Sequence, residues 1–572
     1  MIFKNSVSWN KDYKYDGYLY YIQRVIEMLD YDSKDFFRVH LVSTTTLIDE
    51  YLDICNDNVK QYHLEKVYQE FVVVFDRDIV IQNRWGDKKK QQIIEMLKLE
   101  KNRQKTMKYL RCALMDYLEW CKDYLSSILF QPRNDKKIER TIACFIPELF
   151  RYGYSREGIY HRTKNLIKIE TDFEEKFKEY LDAFDNRDKK YTVYFGLSDK
   201  LSAYEELLKN RLGISTENDD LSKGYKIPNG FHVIKMENIS AIDVSIAADY
   251  GYKGINLFAS FYSFLGNRSE DLVYYKALVV SETEQIIVNL DRNRLYTIDL
   301  RNYFKLSEFS VTVLDGLALN AKPSLYKLDK IISYHNNAIS NNGLENGFLN
   351  LWSILEFICV NDNNRSKVEQ VKDTILPILK HDYFFTLFEE IEKDIRTVLD
   401  NSILEKYINQ ITDMDNESSK IVSLILDPNY DSVFDSFIDE FLNYPLLRTR
   451  MLHLHDNTKK NIDLHNLLSS YEKRVTWQIF RFYRIRNAIV HSGESIKNIN
   501  EYGALLHEYL DQITLEIIMK LSFGSMSTIN NALIDTKLTY NSFIEKLNNS
   551  KAIDHETVEL LCSKPVLWYN ER

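Results

Sequence analysis

Glycine and proline are scarce, with 17 and 8 residues in a chain of 572, about a third of the roughly 12% share usual in globular chains. So few chain breakers exclude collagen-like, proline-rich and glycine-rich linker classes. They also disfavour a large β-sandwich or barrel, which needs many turns. Cysteine is sparse as well. Cys55, Cys112, Cys121, Cys144, Cys359 and Cys562 contain no CxxC pair, so they read as reduced, buried thiols rather than a disulfide framework or a cysteine-rich zinc site. The opening MIFKNSVSWNKD lacks the apolar stretch of a secretory signal. The most apolar helical candidate, FLNLWSILEFICV, is too short to span a bilayer and contains Glu356. A cytoplasmic protein with no membrane association is expected. GxGxxG, GxxxxGK[ST] and GxSxG strings are also missing, so neither a nucleotide cofactor nor a serine-hydrolase elbow is implied.

What the chain does have is apolar content of 45%, aromatic content of 13% and charged content of 28%, far too hydrophobic for a disordered polymer. Its length suggests roughly three to five domains. The 74 basic and 84 acidic residues give a formal charge of -10. Generic adhesion to polyanions is disfavoured, although a local basic cleft remains compatible with nucleic acid.

The pattern predicts a mainly α, multidomain protein with a small central α+β region. Apolar residues return every three or four positions in LIDEYLDICNDNVKQYHLEKVYQEF and MKYLRCALMDYLEWCKDYLSSILF, marking residues 1–190 as helical. FVVVFDRDIVIQ interrupts them and reads as two short strands around Asp76, Arg77 and Asp78, or as a buried helix turn. ELFRYGYSREGIYHRTKNLI reads as helix, glycine turn, helix. Within 191–325, YTVYFG, FHVIKM, YYKALVV, EQIIVNL and RLYTIDL are strand candidates rich in β-branched and aromatic residues. The helical segment AIDVSIAADYGYKGINLFASFYSFL is inserted among them. This α+β unit is a candidate sensor or scaffold. Asparagine and glycine clusters mark 326–347 as a linker; a helical domain over 348–525 and a helical extension over 526–572 follow.

The most specific string is VTWQIFRFYRIRNAIVHSGES. Val475, Ile479, Phe482, Ile485 and Ile489 give it an apolar side, and Gly493 is a candidate helix terminator. Lys473, Arg474, Arg481, Arg484 and Arg486 fall within 473–486 without an acidic residue. Asn487 and His491 are one helical turn apart, and Arg484 joins the same stripe. Arg486 precedes His491 by five residues, about 140° around an ideal helix. A fraying helix end or a second protomer would be needed to bring those two functions together.

RNAIVH, Arg486 to His491, resembles the arginine–polar–three residues–histidine motif of HEPN ribonucleases. LWSILEFICVNDNNRSKVEQVKDTILPIL resembles the first helix, basic loop and next helix of the Apea-like branch found in bacterial anti-phage defence proteins. The resemblance covers roughly residues 345–525. It implies a HEPN-like helical bundle that pairs, as a homodimer or higher even oligomer, around a composite cleft cleaving RNA without a metal. His491 would be the acid/base residue, Arg486 would hold the scissile phosphate, Asn487 would orient it or the histidine, and Glu356 would modulate the pair. The family setting implies anti-phage defence by abortive infection or toxin-like RNA cleavage, with a phage-derived activating factor as a further partner.

The chemistry is coherent on its own terms. RNA supplies its own 2′-hydroxyl nucleophile, so the protein needs proton transfer, to which histidine is suited, and a fixed cation for the phosphorane-like transition state. Arg481 and Arg484 are RNA-binding candidates. Blander readings compete: a solvated helix-end histidine at 491, an interhelical salt bridge at Arg486, a local hydrogen bond at Asn487, a surface ion pair at Glu356, and ordinary solvated surface at Arg481 and Arg484. A catalytically inactive HEPN-like RNA-binding or protein-interaction module is the alternative function. His453, His455, Asp456 and His465 lack a complete ligand framework, so no metal is assigned, and Lys88, Lys89 and Lys90 read as a solvated helix face.

Overall fold

In the computed structural model, the described residues are 16–56, 61–132, 134–168, 171–215, 225–266, 272–281, 285–290, 306–340, 343–361, 364–493, 496–524 and 526–563. Among the described residues, helix accounts for 74%, with 23 α-helices and one small antiparallel sheet. The scarcity of glycine and proline is thereby explained: long helices need few turns.

The N-terminal layer comprises α1 (Asp16–Leu29), α2 (Thr44–Asn56), α3 (Gln61–Arg77), α4 (Ile79–Lys98), α5 (Glu100–Ala113), α6 (Tyr117–Leu129), α7 (Asp135–Arg151), α8 (Arg156–Leu166) and α9 (Phe173–Asp182). FVVVFDRDIVIQ contains no strand; it is the junction of α3 and α4. Asp78 is the reason. Its carboxylate caps α4 by accepting from the Ile81 N–H at 2.9 Å, and is itself held by Thr44 and Tyr117 hydroxyls at 2.6 Å each, so a buried N-cap outcompetes the β propensity of the valines. The predicted solvated face at Lys88–Lys90 is corrected in part: Lys90 is buried and donates to the Asp76 and Asp78 carbonyls at the end of α3, where a cation offsets the helix dipole. Lys89 lies over the Trp85 ring at 4.2 Å. Gly153, with φ 94°, makes the expected turn between α7 and α8.

The central unit contains β1 (Lys189–Ser198), α10 (Glu205–Leu212), β2 (Ile214–Ser215), β3 (Phe231–Ala241), α11 (Val244–Gly266), β4 (Val273–Val280) and β5 (Gln285–Asn289). The strands pair antiparallel in the order β2-β3-β1-β4-β5. Phe195, Leu197, Ile234, Ala277 and Val279 share a separate core with Ala247, Ala248 and Ile255 of α11. Four of the five strand candidates are strands, and the inserted helix is α11. RLYTIDL lies outside the described residues.

The C-terminal layer comprises α12 (Leu306–Asn320), α13 (Leu325–Ser340), α14 (Leu344–Cys359), α15 (Lys367–Val398), α16 (Asn401–Ile408), α17 (Glu417–Leu426), α18 (Asp431–Ile438), α19 (Pro445–Asn457), α20 (Asn461–Ser492), α21 (Ile499–Phe523), α22 (Ile529–Leu547) and α23 (His555–Cys562). The expected linker at 326–347 is instead mostly α13, packed on α14. Its Leu328, Ile331 and Ala338 are buried, so a helical apolar stripe prevails over the asparagine and glycine turn signals. Helix α12, assigned from sequence to the α+β unit, packs on α21. Helix α15 runs unbroken through Pro377. The N- and C-terminal layers share one hydrophobic core that includes Tyr18, Phe71, Phe145, Trp352, Ile479, Tyr509 and Leu561. Cys121, Cys144 and Cys359 are buried, but Cys112 is exposed, against the expectation of uniformly buried thiols.

Candidate active site

Helix α20 carries RNAIVH. Leu464, Leu468, Tyr471, Val475, Ile479 and Phe482 are buried at three- and four-residue spacings, which fixes its inward face. Gly493 adopts φ 63° and returns its N–H to the Ile489 carbonyl at 3.2 Å, terminating the helix as the sequence predicts. Helical geometry persists through Ser492. Helix fraying therefore does not unite Arg486 with His491, and within one chain they stay about 140° apart.

The cationic stretch divides into two parts. Arg481 is 4% exposed; its guanidinium bonds Glu50 at 2.8 Å and Glu70 at 2.6 Å. Arg484 also pairs with Glu50. Burial pushes the Glu50 carboxyl up, but Arg481 and Arg484 outweigh it and hold it down to about 2. Burial raises Glu70 despite Arg481. The expectation of Arg481 and Arg484 as RNA-binding residues is therefore corrected: their charge is committed to α2 and α3 inside the molecule. Nearby, Arg474 faces Asp35 at 3.6 Å, and the Gln478 amide meets His40 at 2.7 Å.

Beyond this welded section, the last turns of α20 are more open. Arg486 and Asn487 are half-buried and joined by a 3.1 Å hydrogen bond from the guanidinium to the amide oxygen. Val490 and His491 are exposed. Glu356 on α14 accepts from the Trp352 indole at 2.8 Å and pairs with Lys367 at 3.2 Å. The Trp352 ring lies 5.8 Å from that of Tyr483, so α14 and α20 touch within a turn of both Glu356 and Arg486. No hydrogen bond or ion pair among the described residues joins Glu356 to Arg486, Asn487 or His491. The arrangement offers an exposed imidazole and a half-buried guanidinium–amide pair on a rigid helix end.

The HxHD string does not assemble. His455 stacks on Phe434 at 4.0 Å and bonds the Ile425 carbonyl, while His453 meets Asn457. Among the described residues, histidine and carboxylate donors converge instead at His335, His507 and Asp511, which the sequence reading missed. His507 and Asp511 are one helical turn apart, a legible signal; His335, far away in sequence, is brought to them by the tertiary fold.

Comparison of the chain with family models, curated proteins and solved structures finds no match in any of the three.

Proposed function

We propose that the chain is a metal-independent endoribonuclease of HEPN type, acting in anti-phage defence, whose C-terminal helical bundle pairs with a second copy around the end of α20. The observation that supports this reading most is the exposed His491 one helical turn beyond Asn487, the residue that bonds Arg486, on a helix held in place by buried ion pairs. His491 would move the proton of the RNA 2′-hydroxyl or of the leaving 5′-oxygen. Arg486 from the partner copy would stabilise the developing phosphorane charge, which removes the difficulty that the two lie about 140° apart in one chain. Asn487 holds the Arg486 guanidinium, and Glu356, bound to Trp352 and Lys367, would act only by positioning α14. Products would carry a 2′,3′-cyclic phosphate and a 5′-hydroxyl, and DNA would resist cleavage.

The same angular separation favours a second reading, a catalytically inactive HEPN-like module that binds RNA or protein. Total RNA incubated with wild type, Arg486→Ala and His491→Ala in chelator, at a temperature where circular dichroism shows each protein folded, separates the two. Matched expression in phage-challenged cells supplies any activating factor. Loss of cleavage in both variants supports the nuclease; equal cleavage by all three proteins rejects the Arg486/His491 mechanism.

A further inference from the structure

Away from α20, three donor atoms from two helices meet. His335 Nε2 on α13, His507 Nε2 on α21 and Asp511 Oδ1 on α21 form a triangle with sides of 2.7 Å between the histidines, 3.0 Å from His335 to Asp511 and 3.4 Å from His507 to Asp511. The His507 side chain is fully buried, while those of Asp511 and His335 are 14% and 22% exposed.

With Asp511 ionised, hydrogen bonding satisfies this triangle poorly. Each imidazole Nε2 offers either one N–H or one lone pair, in the plane of its ring. If one histidine donates to the other, the acceptor has no proton left for Asp511, and two lone pairs face each other. If both donate to Asp511, two N–H groups confront one another at 2.7 Å. One cation resolves the conflict by accepting all three lone pairs. The triangle has a circumscribed radius of about 1.8 Å, so an ion about 2.1 Å from each donor sits about 1 Å off their plane, as in a three-ligand zinc site. Two imidazoles and one carboxylate suit zinc and neighbouring first-row divalent ions rather than calcium or magnesium.

We infer that His335, His507 and Asp511 bind one divalent transition-metal ion of the zinc class, with water completing its coordination on the His335 side. The ion clamps α13 to α21, the helix that follows α20. The inference is independent of RNA cleavage, since none of the three residues belongs to the Arg486/His491 site.

The test uses the full chain, stripped with chelator, dialysed and titrated with zinc chloride. Wild type should take up one ion per chain and unfold at a higher temperature when loaded. His335→Gln and Asp511→Asn should bind zinc more weakly by more than the roughly 10–100-fold typical of losing a residue that merely supports a ligand, and zinc should no longer raise their unfolding temperature. Cobalt(II) should give the visible bands of a nitrogen–oxygen site in wild type alone. A second measurement needs no variant: diethylpyrocarbonate modification, mapped by mass spectrometry, should be blocked by zinc at His335 and unaffected at His491. No zinc uptake by wild type, equal uptake by wild type and a folded His335→Gln, or unchanged modification of His335 would each overturn the assignment.

Discussion

Arg481 and Glu70 form an ion pair at 2.6 Å with side chains only 5% and 7% exposed, joining the helix that bears RNAIVH to the third helix of the chain. Glu50 completes the cluster, bridging Arg481 and Arg484. Removing Arg481 leaves two carboxylates inside the protein without their main counter-charge. Arg481→Ala should lower the unfolding free energy by about 3–5 kcal/mol, measured by urea titration. Arg481→Lys should lose less, because it keeps the charge but not the planar fork that serves both carboxylates.

His491 presents the opposite case, being exposed at the end of α20. His491→Ala should reduce single-turnover RNA cleavage by on the order of 10²–10⁴-fold if the histidine transfers a proton. Its urea midpoint should move by less than about 0.5 kcal/mol equivalent, as for other surface changes. Parallel loss of stability and cleavage would mark the residue as structural.

Two glycines make separable predictions. A Cβ at Gly316 on α12 would strike the Ser522 backbone carbonyl at the end of α21, so Gly316→Ala should cost roughly 1–3 kcal/mol by forcing the helices apart. Gly493 has open space around it but φ of +63°. Gly493→Ala should cost about 1 kcal/mol through backbone strain, and Gly493→Asn less, since asparagine tolerates that conformation. Thermal unfolding of the three variants checks the order.

His381 gives the protein an acid-sensitive component. Burial, aided by Lys520, lowers its imidazole to about 4, below the ordinary value near 6.5. The unfolded chain then binds the proton more readily, so this contribution to stability is complete above pH about 6.5 and is lost as pH falls towards 4. His381→Asn should therefore show a smaller drop in unfolding free energy between pH 7 and pH 5 than wild type, by on the order of 1–2 kcal/mol. An identical drop in both would remove His381 as the source.

The helical character was legible because it rests on local periodicity: Val475, Ile479 and Phe482 predict the buried face of α20, and Gly493 predicts its end. Four central strands were legible for the same reason, as short β-branched runs. The reading failed where a distant partner decided the outcome. The valines before Asp76 end one helix rather than forming a strand, and Asp78, held by Thr44 and Tyr117 from elsewhere in the chain, caps the next. The asparagine-rich stretch after Lys322 became α13 because Leu328 and Ile331 found a core to enter.

The sequence by itself determined that the chain is mainly helical and that its cations gather near RNAIVH, since propensity, spacing and charge are properties of neighbouring residues. Only the tertiary structure decided what those cations do. Arg481 and Arg484 looked outward-facing until Glu50 and Glu70, more than 400 positions earlier, appeared beside them. His335 became a partner of His507 and Asp511 in the same way. Burial and convergence are relations between distant segments, and no local pattern encodes them.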